Sequence, residues 1–105
     1  MAFTGNEKHN ISLNEAAILT RAYRESVDSN AILAVYFGKT AISAIINQED
    51  CVGVRIYNAI KDKKHTFVVV GVTADEEDMG GGKIAELGIP CPPYCPITSA
   101  LKGTA

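Results

Sequence analysis

Two stretches rich in β-branched residues, CVGVRIYNAI at 51–60 and HTFVVVGVT at 65–73, flank the charged tip KDKK at 61–64. No other feature limits the fold as much. In the first stretch Val52, Val54 and Ile56 alternate with Gly53, Arg55 and Tyr57, which is the period of a strand with two chemically different faces. The second stretch has the composition of a strand. Joined by four residues, the two predict an antiparallel hairpin at the centre of a sheet.

The segments before the hairpin read as helix, strand, helix. Ser12 followed by Glu15 is a capping box, in which the hydroxyl accepts from an amide and the carboxylate reaches back to the cap. Leu13, Ala16, Ala17, Leu19, Ala22, Tyr23 and Val27 then follow helical spacing until Asp28-Ser29-Asn30 interrupts it. AILAVYF at 31–37 is short and uniformly apolar and is expected as a buried strand. After Gly38, KTAISAIINQ places Ala41, Ile42, Ile45 and Ile46 on the inner face of a second helix.

Beyond the hairpin, ADEEDMGGG reads as a solvated acidic and glycine-rich loop, and KIAELG at 83–88 as one helical turn closed by Gly88. The prolines at 90, 92, 93 and 96 exclude a helix or a central strand from the tail. The expected organisation is a flexible arm at 1–10, a domain at 11–88 and a proline-rich arm at 89–105 packed on it. The class is α+β: a small single-layer sheet with a central antiparallel hairpin and two helices packed on it. Such a sheet leaves an open edge, which a second copy of the chain can cover, so a homo-oligomer is expected.

The chain has 105 residues, 47% hydrophobic and 21% charged, the range of one globular domain. A formal charge of -2 lacks the basic footprint of nucleic-acid binding, and KDKK is the one basic patch. The polar start MAFTGNEKHN lacks the plan of a secretory leader, and no apolar run reaches the length of a membrane span. The expectation is a cytoplasmic protein with reduced thiols, in keeping with an odd number of cysteines.

Chemistry-bearing residues are few. Cys91 and Cys95 in GIPCPPYCP would stand about 12 Å apart on a straight polyproline path, whereas disulfide Cα atoms lie about 4.4–6.8 Å apart. A bridge needs a turn at Pro93-Tyr94 or a cis peptide, so the spacing permits a disulfide without preforming one. The spacing of three also departs from the two-residue spacing of dithiol redox motifs. Cys51, Cys91 and Cys95 with His65 or His9 could make a Cys₃His zinc set, the one metal the composition suggests, although the usual second close pair is missing. The alternative is that the thiols are small buried hydrophobes. No serine or cysteine shows triad spacing, so no residue is assigned as catalytic.

MGGGK at 79–83 departs from the phosphate-loop pattern, and Asp75 to Asp78 lack the ligand spacing of a calcium loop. Arg55 and Tyr57 share a strand face with Gly53 beside them. That face is either a groove for an anionic ligand or an outward surface partly covered by a helix or the tail. Tyr94 joins them as a candidate contact residue.

CVGVRIY at 51–57, VVVGV at 68–72 and GIPCPPYCP at 88–96, in this order, resemble a group of short bacterial proteins common in the Bacteroidetes. The likeness spans residues 35–96, with Cys51, Gly53, Arg55, Tyr57, Gly71, Cys91, Pro92 and Cys95 matching the pattern. The group's Pro-Gly before the first cysteine is replaced here by Glu49-Asp50. The resemblance implies no activity. The reading is a non-catalytic interaction or self-assembly module. The alternatives are a metal or thiol-redox site at Cys51, Cys91 and Cys95, and a small-molecule binder using Arg55 and Tyr57.

Overall fold

The computed structural model describes residues 2–104. Met1 and Ala105, the ends of the two expected arms, lie outside the described residues. The first helix, α1 (Leu13–Ser26), starts as its capping box requires: the Glu15 amide donates to Ser12 Oγ at 3.0 Å, and the Ser12 amide donates to the Glu15 carboxylate at 3.2 Å. A strand, β1 (Ala34–Tyr36), leads through Gly38 into the second helix, α2 (Lys39–Ile46). The hairpin follows as β2 (Gly53–Lys61) and β3 (Lys64–Val72), and two short strands close the fold, β4 (Ile84–Ala85) and β5 (Ile89–Cys91).

The α+β class and the hairpin stand as the sequence indicates, with a tighter tip. Asp62 and Lys63 alone form the turn, with φ of 51° and 66°. Two positive φ values make it a type I′ turn, whose twist matches that of paired strands. Gly53 lies opposite Val72, Arg55 opposite Val70 and Tyr57 opposite Val68.

Four expectations change. The strands form two sheets, β2-β3-β4 and a separate β1-β5 ribbon, so β3 is the middle strand and β2 an edge. Residues 83–88 add strand β4 to β3 instead of a helical turn, since six residues cannot sustain a helix against a waiting strand edge. The strand within 31–37 is three residues long and carries Tyr36 exposed, because the ribbon has no second layer over that side. The proline tail enters the fold as a strand, Ala34 opposite Cys91 and Tyr36 opposite Ile89. Pro90 is tolerated in so short an edge pairing.

The core is small. Ile45, Val69, Val70, Val72 and Cys91 are the buried hydrophobic residues among those described. Ile45 brings α2 to the sheet, and Gln48, just beyond the helix, fastens the glycine-rich loop: its Oε1 accepts the Lys83 amide at 2.9 Å and its Nε2 donates to the Ile45 carbonyl at 2.8 Å. Gly71 packs against Cys51 Sγ, Gln48 and Met79, which a Cβ there would meet at 3.0–3.2 Å and have to push aside.

The helix α1 buries none of its side chains. Among the described residues, its one long-range side-chain hydrogen bond runs from Arg24 Nη1 to the Leu101 carbonyl, 2.7 Å, and holds the last turn of the tail against it. Residues 2–10 have no regular structure and lie beside the start of β2, with the Phe3 amide donating to the Ala74 carbonyl at 2.9 Å. Among the described residues, no helix is long and apolar enough to cross a membrane.

Candidate functional site

Alternation along β2 puts Arg55 and Tyr57 on one face of the sheet, over Val70 and its neighbours in β3. The chain leaving β3 then returns through the Thr73–Glu77 turn, and Asp78 bridges back to Val72. This return places one carboxylate within reach of both side chains. Arg55 Nη1 lies 2.5 Å from Asp78 Oδ1, and the Tyr57 hydroxyl donates to Asp78 Oδ2. The guanidinium also donates to the Glu76 carbonyl at 3.4 Å.

The arrangement fixes the protonation of all three groups. The Tyr57 hydrogen bond, then the Arg55 hydrogen bonds and charge, hold the Asp78 carboxyl below the usual carboxylate range. The hydrogen bond to Asp78 raises Tyr57 above the ordinary phenol value and Arg55 above the ordinary guanidinium value. Near neutral pH the cluster is therefore carboxylate, phenol and guanidinium, with none of the three poised to exchange a proton. It acts as a clamp from β2 across β3 to the returning chain, and Val70 and Val72 beneath it are 4% and 3% exposed.

Beside the clamp, residues 3–9 and the start of β2 enclose a groove of about 570 Å³, lined by Phe3, Gly5, Glu7, His9, Val52 to Arg55 and Val72. Glu7 is committed to its own segment, accepting from the amides of Thr4 at 2.9 Å and Gly5 at 3.0 Å. These bonds, the Thr4 one foremost, lower its pKa.

The cysteines divide. Cys91 and Cys95 form a disulfide with Cα atoms 4.8 Å apart, and the bonds before Pro92 and Pro93 are both cis. The enclosed turn has its own backbone bonds, Tyr94 amide to Pro90 carbonyl and Cys95 amide to Pro93 carbonyl, both 3.1 Å. Tyr94 projects from it, exposed. Cys51 stays a half-buried free thiol whose Sγ lies 3.2 Å from the Gly53 carbonyl. His65 is elsewhere on the hairpin, its Nε2 2.9 Å from Asn58 Oδ1 and its ring edge-on to Phe67. Among the described residues, no three His, Cys, Asp or Glu side chains gather as a metal would require, so the structure does not bring the proposed Cys₃His set together.

The residue that sequence reasoning missed is Asp78, read there as part of a solvated loop. The available signal is slight: an Arg and a Tyr two positions apart on one face suit a carboxylate, and Asp78 is the last acid before the glycines let the chain turn back. The remaining open feature is the free edge of β2, where Val54, Ile56 and Ile60 are 41%, 58% and 80% exposed. Comparison with protein-family models, curated proteins and solved structures finds no match to this chain.

Proposed function

We propose that the chain is a non-catalytic interaction module whose fold is completed by association with further copies of itself. The observation that carries this reading is surface. The chain exposes 7812 Å², whereas a folded monomer of its mass exposes about 5,700 Å². The excess, about 2,100 Å², is what one subunit of a permanent homodimer buries. A Cα radius of gyration of 15.3 Å agrees, since a chain of this length packs to about 13 Å when its surface is satisfied. Uncovered apolar residues lie on α1, with Leu13, Ile18 and Leu19, on β2, and along the chain from Ile84 to Leu101.

Sedimentation or light scattering of the full chain tests this directly. A discrete oligomer persisting at micromolar concentration supports it, and a monomer at all concentrations refutes it. Arg55 and Tyr57 have a structural part in this reading, since both donate to Asp78.

A second reading rests on the Cys91–Cys95 bridge, as a pair that gains two electrons and two protons from a dithiol to become two thiols. The sequence suggests a cytoplasmic chain, where the reduced form is expected. Equilibration with glutathione buffers tests it: a potential well below about −300 mV, where structural disulfides lie, removes the exchange role.

A further inference from the structure

We infer that the second copy docks on the free edge of β2 in antiparallel fashion, about a two-fold axis at Tyr57, to make one six-stranded sheet. This rests on the self-association just proposed and specifies its surface.

Hairpin geometry determines which backbone groups are free. The pair flanking a two-residue turn exchanges both its hydrogen bonds, so Lys61 and Lys64 form a bonded pair, and every second pair down the ladder does likewise. Ala59, Tyr57, Arg55 and Gly53 therefore direct their N–H and C=O groups toward β3. On the far side of β3, the Gly71 carbonyl accepts from the Met79 amide at 2.8 Å, in the same phase. Val54, Ile56, Asn58 and Ile60 consequently aim their amides and carbonyls at the open edge.

These four positions are symmetric about residue 57. Antiparallel pairing centred there joins Val54 to Ile60 of the second copy and Ile56 to Asn58, each pair twice, and uses all four donors and all four acceptors on each side. Moving the centre by one residue either way leaves one of the four positions unpaired on each copy, and moving it by two leaves two. On the face of Val54, Ile56, Asn58 and Ile60 the pairing sets Val54 beside Ile60 and Ile56 beside Asn58. On the other face it sets Tyr57 against its own copy and Arg55 opposite Ala59, with no like charges directly opposed.

Charge selects the same direction. The tip of the hairpin carries Lys61, Lys63 and Lys64 beside the single acid Asp62, with Lys61 also paired to Glu86 at 3.2 Å, while the other end lies between Glu49-Asp50 and the run Asp75 to Asp78. Antiparallel docking lays each basic tip against the other copy's acidic end, whereas parallel docking would join like ends. The incoming Ile60 and Lys61 arrive beside Gly53 and Val54, at the groove described above, whose outer wall is residues 3–9 with Gly5 against the Val52 carbonyl and Glu7 on the wall.

The test is amide hydrogen exchange on the full-length native protein, read beside its mass. In a dimer of this kind the amides of Val54, Ile56, Asn58 and Ile60 exchange at least ~100-fold more slowly than the turn amides of Asp62 and Lys63. A dimer in which those four exchange as fast as the turn overturns the edge pairing while leaving self-association standing. A monomer overturns both. Ile60→Pro supplies the complement, because the lost N–H points away from β3 and the intramolecular ladder is kept. A folded Ile60→Pro chain is expected to run at monomer mass, and one that stays fully dimeric overturns the inference.

Discussion

Removing the Cys91–Cys95 bridge should cost little, and the amount follows from its short span. The two cysteines are 4 positions apart, so the closed loop holds about five residues and the entropy withheld from the unfolded chain is about 7 cal/mol/K, or about 2 kcal/mol at room temperature. The native side should lose almost nothing. The turn keeps its bonds from Tyr94 and Cys95, and β5 keeps its pairing with β1, including the Leu33 amide to the Cys91 carbonyl at 2.7 Å. Chemical denaturation of the Cys91→Ser, Cys95→Ser double variant, followed by far-UV circular dichroism, reads this. The protein concentration must be held constant, since association shifts apparent stability. The midpoint should fall by the equivalent of about 2 kcal/mol with the slope unchanged, and the melting temperature by roughly 8–15 °C. A loss above about 4 kcal/mol would show that the bridge holds the β1-β5 ribbon in the native state, and so refute an entropic account. A loss below about 0.5 kcal/mol would refute it from the other side, by showing that the turn is already restricted in the unfolded chain.

Ile45→Ala should cost about 2–5 kcal/mol in the same assay, because Ile45 is 1% exposed and its removal opens a cavity where α2 meets the sheet. Lys63→Gly should stabilise by up to about 1 kcal/mol, since Lys63 holds φ at 66° in a turn that favours glycine there. The Asp78 clamp should give stability a pH dependence at both extremes. A carboxyl depressed by folding stabilises above its ordinary 3.8 and loses that contribution as the pH drops through its folded value, whereas a phenol raised by folding stabilises below its ordinary 10.0 and loses that contribution as the pH climbs past it. Thermal melts of Asp78→Asn across that range should show a shallower acid limb than the native chain, and an unchanged acid limb would remove Asp78 from the account.

Legibility in the sequence followed the range of the interactions. The capping box at Ser12 and Glu15 and the alternation of β2 are written within a few residues and could be read directly. The destination of residues 83–91 could not, because Ile84-Ala85 and Ile89-Pro90-Cys91 become strands only where β3 and β1 offer them edges, and neither pairing leaves a periodic trace. The Cys91–Cys95 bridge was left open for a related reason, since its distance depends on a turn among prolines. The clamp was half legible: Arg55 and Tyr57 could be placed on one face, but Asp78 reaches them only through the return of the chain after β3.

The alternation in β2 carries one further consequence. Patterning rules put the apolar face of a strand toward the core and the polar face toward water. Here both faces are covered over β3 and open over β2: Val70 and Val72, on the face of Arg55 and Tyr57, and Val69, on the face of Ile56, are all buried, whereas Val54, Ile56, Tyr57 and Ile60 along the edge strand are exposed. On the polar face Asp78 accepts from both Arg55 and Tyr57 and so satisfies their donors. On the other face Val54, Ile56 and Ile60 keep much of their apolar surface in solvent. Fully burying each aliphatic side chain is worth about 1.5–3 kcal/mol, so three that are 41%, 58% and 80% uncovered leave on the order of 3–5 kcal/mol per subunit for an association that covers them. Exposed apolar side chains along an unpaired edge strand are what a monomer would avoid, and what a sheet continued by its own copy would retain. Replacing Ile56 and Ile60 together by Thr should therefore leave the monomer's fold and its β3 ladder intact and weaken self-association by tenfold or more. Unchanged association with both apolar side chains gone would show that the apolar edge has no part in it.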